Sequence, residues 1–261
     1  MQRSIAAAAL WLVLATPLFA ADKLDEIKSR GRLLVGVSDT SPPFSARENG
    51  KVVGYDVDLA ARVAQRLGLP TETISIVNAD RIPALQQDRV DLVASGMTRA
   101  ENRKKDVGFS LAYLVSPHKV LIRKDGGVAT VNQMAGRKLA LVKSASVDAE
   151  LIAKVPTLQI VHYEDYVACF KALAGREVAG FLADEVLLAS FAQKSGTPQD
   201  FTFIPDYDLP RTAGFALKKD EPRLTQFVDQ VLLDLEKSGE AEKIFDAWFP
   251  GAKRPFRIQP D

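Results

Sequence analysis

The sequence predicts an α/β protein built from two sheets in succession and closed by a helical block. Three observations predict it. Short apolar runs alternate with segments of helical period between Leu33 and Ala94. The alternation restarts at Lys138 and continues to Gln193. From Asp220 onward the apolar residues recur at helical spacing alone. Strands alternating with helices imply parallel pairing.

Each element has a local reason. Leu33–Val37 (LLVGV) is an apolar run of strand length. Asp56 is a residue of N-cap type. Val57, Ala60, Ala61, Ala64 and Leu67 follow at helical spacing, and Gly68 is the stop. Residues 73–77 read as the next strand, 83–87 as a helix with Pro83 in its first turn, and 90–94 as a third strand. The second series gives strands at 138–142, 158–163 and 178–182. Helices at 147–153, 166–173 and 185–193 alternate with them. Asp220-Glu221-Pro222 opens a helix with Leu224, Phe227, Val228, Val231, Leu232 and Leu235 on one face. Ser238 is the expected cap of a last helix, with Ile244, Phe245 and Trp248 facing inward.

Composition narrows the function. The 261 residues include 34 Lys+Arg against 33 Asp+Glu, a net charge of +1 that supplies no bulk attraction to nucleic acid or anionic membrane. A single Cys excludes an internal disulfide framework, and with two His the usual metal sites and triads are absent. Cys169, in the apolar context YVACF, reads as a small buried hydrophobe. No phosphate-cradling loop, dinucleotide fingerprint or nucleophile elbow occurs. No catalytic residue, metal ligand or cofactor is therefore assigned.

Residues 1–21 read as a signal peptide. Arg3 supplies the positive start, IAAAALWLVLA the apolar run, and Leu18-Phe19-Ala20 a small-residue cleavage site. Export to the periplasm is the expectation. The segment Ala94-Ser95-Gly96-Met97-Thr98-Arg99-Ala100-Glu101-Asn102-Arg103 directly follows a strand. Hydroxyls and backbone N–H groups at a strand's carboxyl end, with an Arg beyond, suit a carboxylate ligand.

Here the sequence resembles the periplasmic solute-binding proteins of polar amino-acid ABC importers (family 3). The blocks that carry the resemblance are LLVGVSDTSPPFS, GKVVGYDVDLAARVAQRLG, RIPALQQDRVDLVASGMTRAENRKKDVGFS, GREVAGFLADEVLLA and SGEAEKIFDAWF. The resemblance covers essentially the whole chain after residue 21. The resemblance implies a two-lobed periplasmic-binding-protein-like fold of type II. Two doubly wound sheets would be joined by two crossovers, with the ligand in the cleft between. Lobe 1 would take residues 22–112 and return for 209–261, and lobe 2 would take 113–208. It implies a monomer that hands its ligand to an ABC permease, with no nucleic-acid partner.

It also implies site residues. Arg103 matches the clamp of the ligand α-carboxylate, with Thr98 and the backbone at Ser95 and Gly96. Asp184 matches the acid that receives the α-ammonium. Phe44 matches an aromatic laid against the ligand, and Ser144 and Ser146 match the second-lobe loop that completes the carboxylate site. The motif RIPALQ resembles glutamate/aspartate-binding members, in which Arg81 matches an arginine for the side-chain carboxylate. Ser38 and Tyr166 depart from those members, which carry an arginine and a histidine there. An acidic amino acid therefore leads narrowly over a neutral polar one. The same fold admits two other readings, a cyclohexadienyl-type dehydratase and a ligand-sensing module for a membrane partner.

Overall fold

The computed structural model describes residues 22–252, 254 and 256–260. The expected signal peptide lies outside them. The first sheet has five strands in the order Thr71–Ser75, Leu33–Val37, Leu92–Val93, Ala216–Lys218, Val107–Phe109. The second has the order Gln159–Tyr163, Lys138–Val142, Gly180–Asp184, His118–Arg123, Phe201–Phe203. In each, the first three strands pair in parallel. The remaining two are antiparallel, so the expected parallel pairing holds for only part of each sheet. Those antiparallel strands lack a helix on each side to mark them, which is why alternation did not reveal them.

Two crossovers join the lobes. Leu114–Val115 leaves the first sheet and Thr212–Ala213 returns to it, paired antiparallel with one another. The returning chain also bridges Thr98 to Ala213 and His118 to Leu209. A small three-stranded sheet, Thr40–Ser41, Ser45–Glu48 and Lys51–Val53, flanks the first lobe. Sequence reading had missed it, because such short strands carry too few residues to show a period.

The helix Tyr55–Leu67 departs from expectation in two ways. Its buried face is Tyr55, Leu59, Ala60, Val63 and Ala64, one position round from the expected stripe. Its N-cap is Gly54, which leaves Asp56 inside the first turn. The start of this helix is pressed against residues 43–44. Tyr55 N–H donates to Pro43 O and Asp56 N–H to Phe44 O, both at 3.0 Å. Gly54 is required by that approach, because a Cβ there would stand 2.1 Å from Phe44 O.

The late helices follow their expected starts more closely. Pro222–Ser238 buries Leu224, Val228, Val231, Leu232 and Leu235, with Pro222 in its first turn. The last helix is Glu240–Trp248, capped by Gly239 rather than Ser238. Trp248 Nε1 donates to Asp58 Oδ2 at 2.7 Å, tying the chain end to the Tyr55–Leu67 helix. Tyr55 meets Tyr113, Phe245 and Phe249 edge-on, with ring centroids 5.2–6.2 Å apart. Cys169 is buried and free, and burial pushes its thiol up to about 12. Among the described residues no helix is long and apolar enough to cross a membrane.

Gly54→Ala should destabilise the protein by about 1–3 kcal/mol, the usual cost of an overpacked site. Urea unfolding measures it, and an unchanged midpoint would show that the loop yields without cost.

Candidate functional site

The carboxyl ends of four parallel strands meet between the lobes, where open α/β sheets place ligands. The first lobe contributes the segments after Thr71–Ser75 and Leu92–Val93. The second contributes those after Lys138–Val142 and Gly180–Asp184. Between them lies a small cavity of about 30 Å³. Arg81, Gly96, Thr98 and Arg103 line it from one side, and Ser146, Tyr166 and Asp184 from the other. Wider depressions on the outer surface, such as that beside Arg66 and Asp234, hold exposed charges already paired with one another.

The two arginines dominate the electrostatics. Arg81 is buried, and its Nε donates to Asn78 O at 3.0 Å. Its guanidinium faces the Tyr166 hydroxyl, and burial lowers its pKa. Arg103 sits in the short helix Glu101–Lys104 and is also buried. It donates to Thr98 O at 3.1 Å and to Ser144 O at 2.7 Å. Burial, and then the neighbouring Arg81, lower its pKa to about 9. Both groups stay charged at neutral pH, so two like charges stand close together away from water. Such a pair calls for an anion.

Asp184 ends the strand Gly180–Asp184 and precedes the helix Glu185–Lys194. Its side chain makes no cap bond to that helix. Instead its Oδ2 lies 3.5 Å from His118 Nε2. The strand register explains the pairing, since Asp184 and His118 stand directly opposite one another and share a face.

The other expected residues are placed as follows. Gly96, Thr98 and Ser146 line the cavity. Ser95 is buried beside it, and its hydroxyl has no hydrogen-bond partner among the described residues. Ser144 bridges the lobes by two bonds, its carbonyl taking Arg103 and its hydroxyl donating to Asn78 O at 2.9 Å. Phe44 packs in the core directly beneath Gly96, where a Cβ would stand 2.5 Å from its ring. It is not among the lining side chains. Ser38 bonds to Ser41 and Ser45 within its own loop.

Sequence reading missed three residues here. His118 has no ligand-spaced partner in the sequence, yet lines the cavity beside Asp184. Tyr166 was noted only as a departure, yet its hydroxyl meets Arg81. Asp56 was taken for a helix cap. It is fully buried behind the cavity, and its Oδ2 accepts from Gly96 N at 2.5 Å and Tyr113 Oη at 2.7 Å. An acid in the first turn of a helix, 40 residues before a Gly-containing strand end, carries no local signal of that contact.

Comparison with known proteins identifies the family. The family model for bacterial extracellular solute-binding proteins, family 3, matches residues 33–251. The chain belongs to that family. The glutamate/aspartate import solute-binding protein of Escherichia coli (strain K12) is 29% identical over 268 residues, covering 95% of this chain and 88% of that protein. The glutamine-binding protein GlnH of Bacillus subtilis (strain 168) is 26% identical, covering 87% of this chain and 84% of that protein. Among solved structures, a mutant of ArgBP from T. maritima superposes with a TM-score of 0.81 at 32% identity, over 87% of this chain and 99% of that one. An ancestral amino acid-binding protein, AncCDT-1, described as a precursor of cyclohexadienyl dehydratase, has a TM-score of 0.79 at 29% identity. It covers 88% of this chain and 100% of that one. The two-lobed architecture of this family 3 chain is thus shared with proteins of differing ligands.

Burial pushes the Asp56 carboxyl up to about 7, against the pull of its Gly96 and Tyr113 donors. An acid whose folded pKa exceeds its unfolded value, about 3.9, holds more protons when folded. Its contribution to stability is present at low pH and is lost as pH rises through about 7. Asp56→Asn keeps an oxygen for Gly96 N–H and cannot ionise. Its melting temperature should therefore fall less than that of wild type between pH 5 and pH 8. Parallel profiles for the two proteins would refute the assignment.

Proposed function

We propose that this family 3 protein captures a polar amino acid in the periplasm, with an acidic one preferred, and delivers it to an ABC importer. The observation that carries the reading is the charge pattern of the cavity. Two buried guanidiniums come from the first lobe and one carboxylate from the second. An acidic amino acid is the charge mirror of that set. Its two carboxylates meet Arg103 and Arg81, and its ammonium meets Asp184. Arg103 takes the α-carboxylate through two parallel charge-assisted bonds, helped by Thr98 and Ser146. A neutral amino acid leaves one buried cation without an anion, which is costly.

Export through residues 1–21, a monomeric state and a permease partner belong to the same proposal. So do lobe limits at 22–112 with 209–261, and 113–208. Names of relatives support an amino-acid ligand but differ among glutamate/aspartate, glutamine and arginine. In this reading the protein breaks no covalent bond. Ligand contacts drawn from both lobes favour the closed arrangement, in which Arg103 reaches Ser144 and Lys194 reaches Glu48 across the cleft.

Arg103→Ala should abolish amino-acid binding while leaving the melting temperature near that of wild type. Lys in its place should rescue poorly, because a point charge lacks the planar fork. Near wild-type affinity in Arg103→Ala by calorimetry would remove the anchor.

Arg81→Ala should weaken glutamate or aspartate roughly 10- to 100-fold, the worth of one charge-assisted partner of about 1.5–3 kcal/mol. Glutamine and asparagine should change little. Equal losses for all four would exclude the acidic assignment.

A further inference from the structure

The cavity wall contains an imidazole that the proposed ligand scheme leaves unused. His118 begins the strand His118–Arg123 and is 7% exposed. Its backbone is held on both sides. It is paired with Asp184 in the sheet, and it exchanges two hydrogen bonds with Leu209 of the returning crossover, at 2.8 and 3.1 Å. The imidazole is therefore fixed in place at the mouth of the second lobe. Nε2 lies 3.5 Å from both Asp184 Oδ2 and Thr98 Oγ1, the outer limit of a hydrogen bond. Nδ1 is buried and has no partner among the described residues. A buried polar group left so poorly satisfied is costly, and a ligand that supplies a partner relieves that cost.

We infer that His118 is a ligand-contacting, specificity-determining residue that forms, with Asp184, the ammonium half of the site. The inference rests on the amino-acid reading above. A primary ammonium has three donors, enough for the Asp184 carboxylate and for an imidazole nitrogen together. A neutral imidazole can accept one of them. A protonated imidazole has only donors and places a second cation against Asp184. Ammonium binding and imidazole protonation therefore exclude one another, and uptake of the ligand becomes linked to release of a proton.

The charged and titratable groups around the imidazole fix what else responds to pH. Arg81 and Arg103 remain charged throughout. Tyr166 is held neutral by burial, which raises its pKa. Asp184 stands opposite it on the paired strand. Lys119, next along the strand, is held charged by Glu185 and Asp208. Asp56, behind Gly96, is the group whose response overlaps the imidazole range, so it is neutralised in the test by Asp56→Asn.

The test is calorimetric titration of the full exported chain with L-glutamate, L-glutamine, L-arginine and glutarate from pH 5 to pH 8. Whichever amino acid binds should lose affinity as pH falls, by up to about tenfold per pH unit for one linked proton. Glutarate, which has no ammonium, should show no such loss. His118→Gln, in wild-type and Asp56→Asn backgrounds, should flatten the amino-acid profile and narrow the preference for glutamate over glutarate. An unchanged slope and an unchanged preference in His118→Gln would overturn the inference and leave the amino-acid reading standing. Failure of every amino acid to bind wild type would overturn both. If His118→Gln does not melt cooperatively, His118→Asn replaces it. With His118 intact, titrations at pH 6 in two buffers of different ionisation enthalpy also decide the point. About one proton released per ligand in the Asp56→Asn background supports the inference, and none overturns it.

Discussion

The Asp56 carboxylate is the contact on which the rest of the first lobe depends. It holds the Gly96 amide on one side and the Tyr113 hydroxyl on the other. Tyr55, its neighbour in the helix, donates to Tyr113 O at 2.9 Å. One helix start thus fixes both the loop that floors the cavity and the chain leaving for the second lobe. Gly54 lets that start approach residues 43–44, and Phe44 then fills the space beneath Gly96. The site loop rests on a packed, hydrogen-bonded base rather than on its own stiffness. The other Asp56 oxygen, Oδ1, is buried without a hydrogen-bond partner among the described residues, consistent with a carboxyl that burial favours in its neutral form.

The cavity balances charges that no lobe satisfies alone. The first lobe brings two guanidiniums together, and the second brings the carboxylate and the Ser144 carbonyl. Separation of the lobes returns these groups to water. Approach without an anion leaves Arg81 and Arg103 repelling one another in a low-dielectric space. In the proposed scheme a dicarboxylic ligand would convert that repulsion into attraction, so the same pair of residues would oppose empty closure and favour filled closure. This gives the ligand the differential affinity that a population shift requires.

Much of the fold was legible because its signals are local. The run LLVGV, the Gly68 stop and Pro222 in a first turn each name an element without reference to the rest. Family blocks then supplied Arg103, Thr98 and Asp184 as neighbours, and the structure brings all three to one cavity. The misses share a physical cause, which is that their partners are distant in sequence. His118 meets Asp184 through antiparallel register, and Asp56 meets Gly96 through tertiary packing. Neither relation leaves a spacing to read. Phe44 shows the opposite case. An aromatic beside a binding loop suited the ligand by position, but the absence of a Cβ at Gly96 lets the ring serve as the loop's floor.

The strand order of the first sheet bears on how the molecule is made. Ala216–Lys218 lies between Leu92–Val93 and Val107–Phe109, inside the sheet rather than at its edge. The second sheet draws all its strands from the continuous stretch 118–203. A chain emerging from its amino end can therefore assemble the second sheet while the first still has a gap in its middle. Closing that gap joins residues more than 100 positions apart, a slow kind of contact to form. The aromatic cluster of Tyr55, Phe245 and Phe249 must wait longer still. Synthesis of nearly the whole polypeptide thus precedes completion of half the cleft, because the middle of one sheet and the aromatic cluster beside it both wait for the last third of the chain.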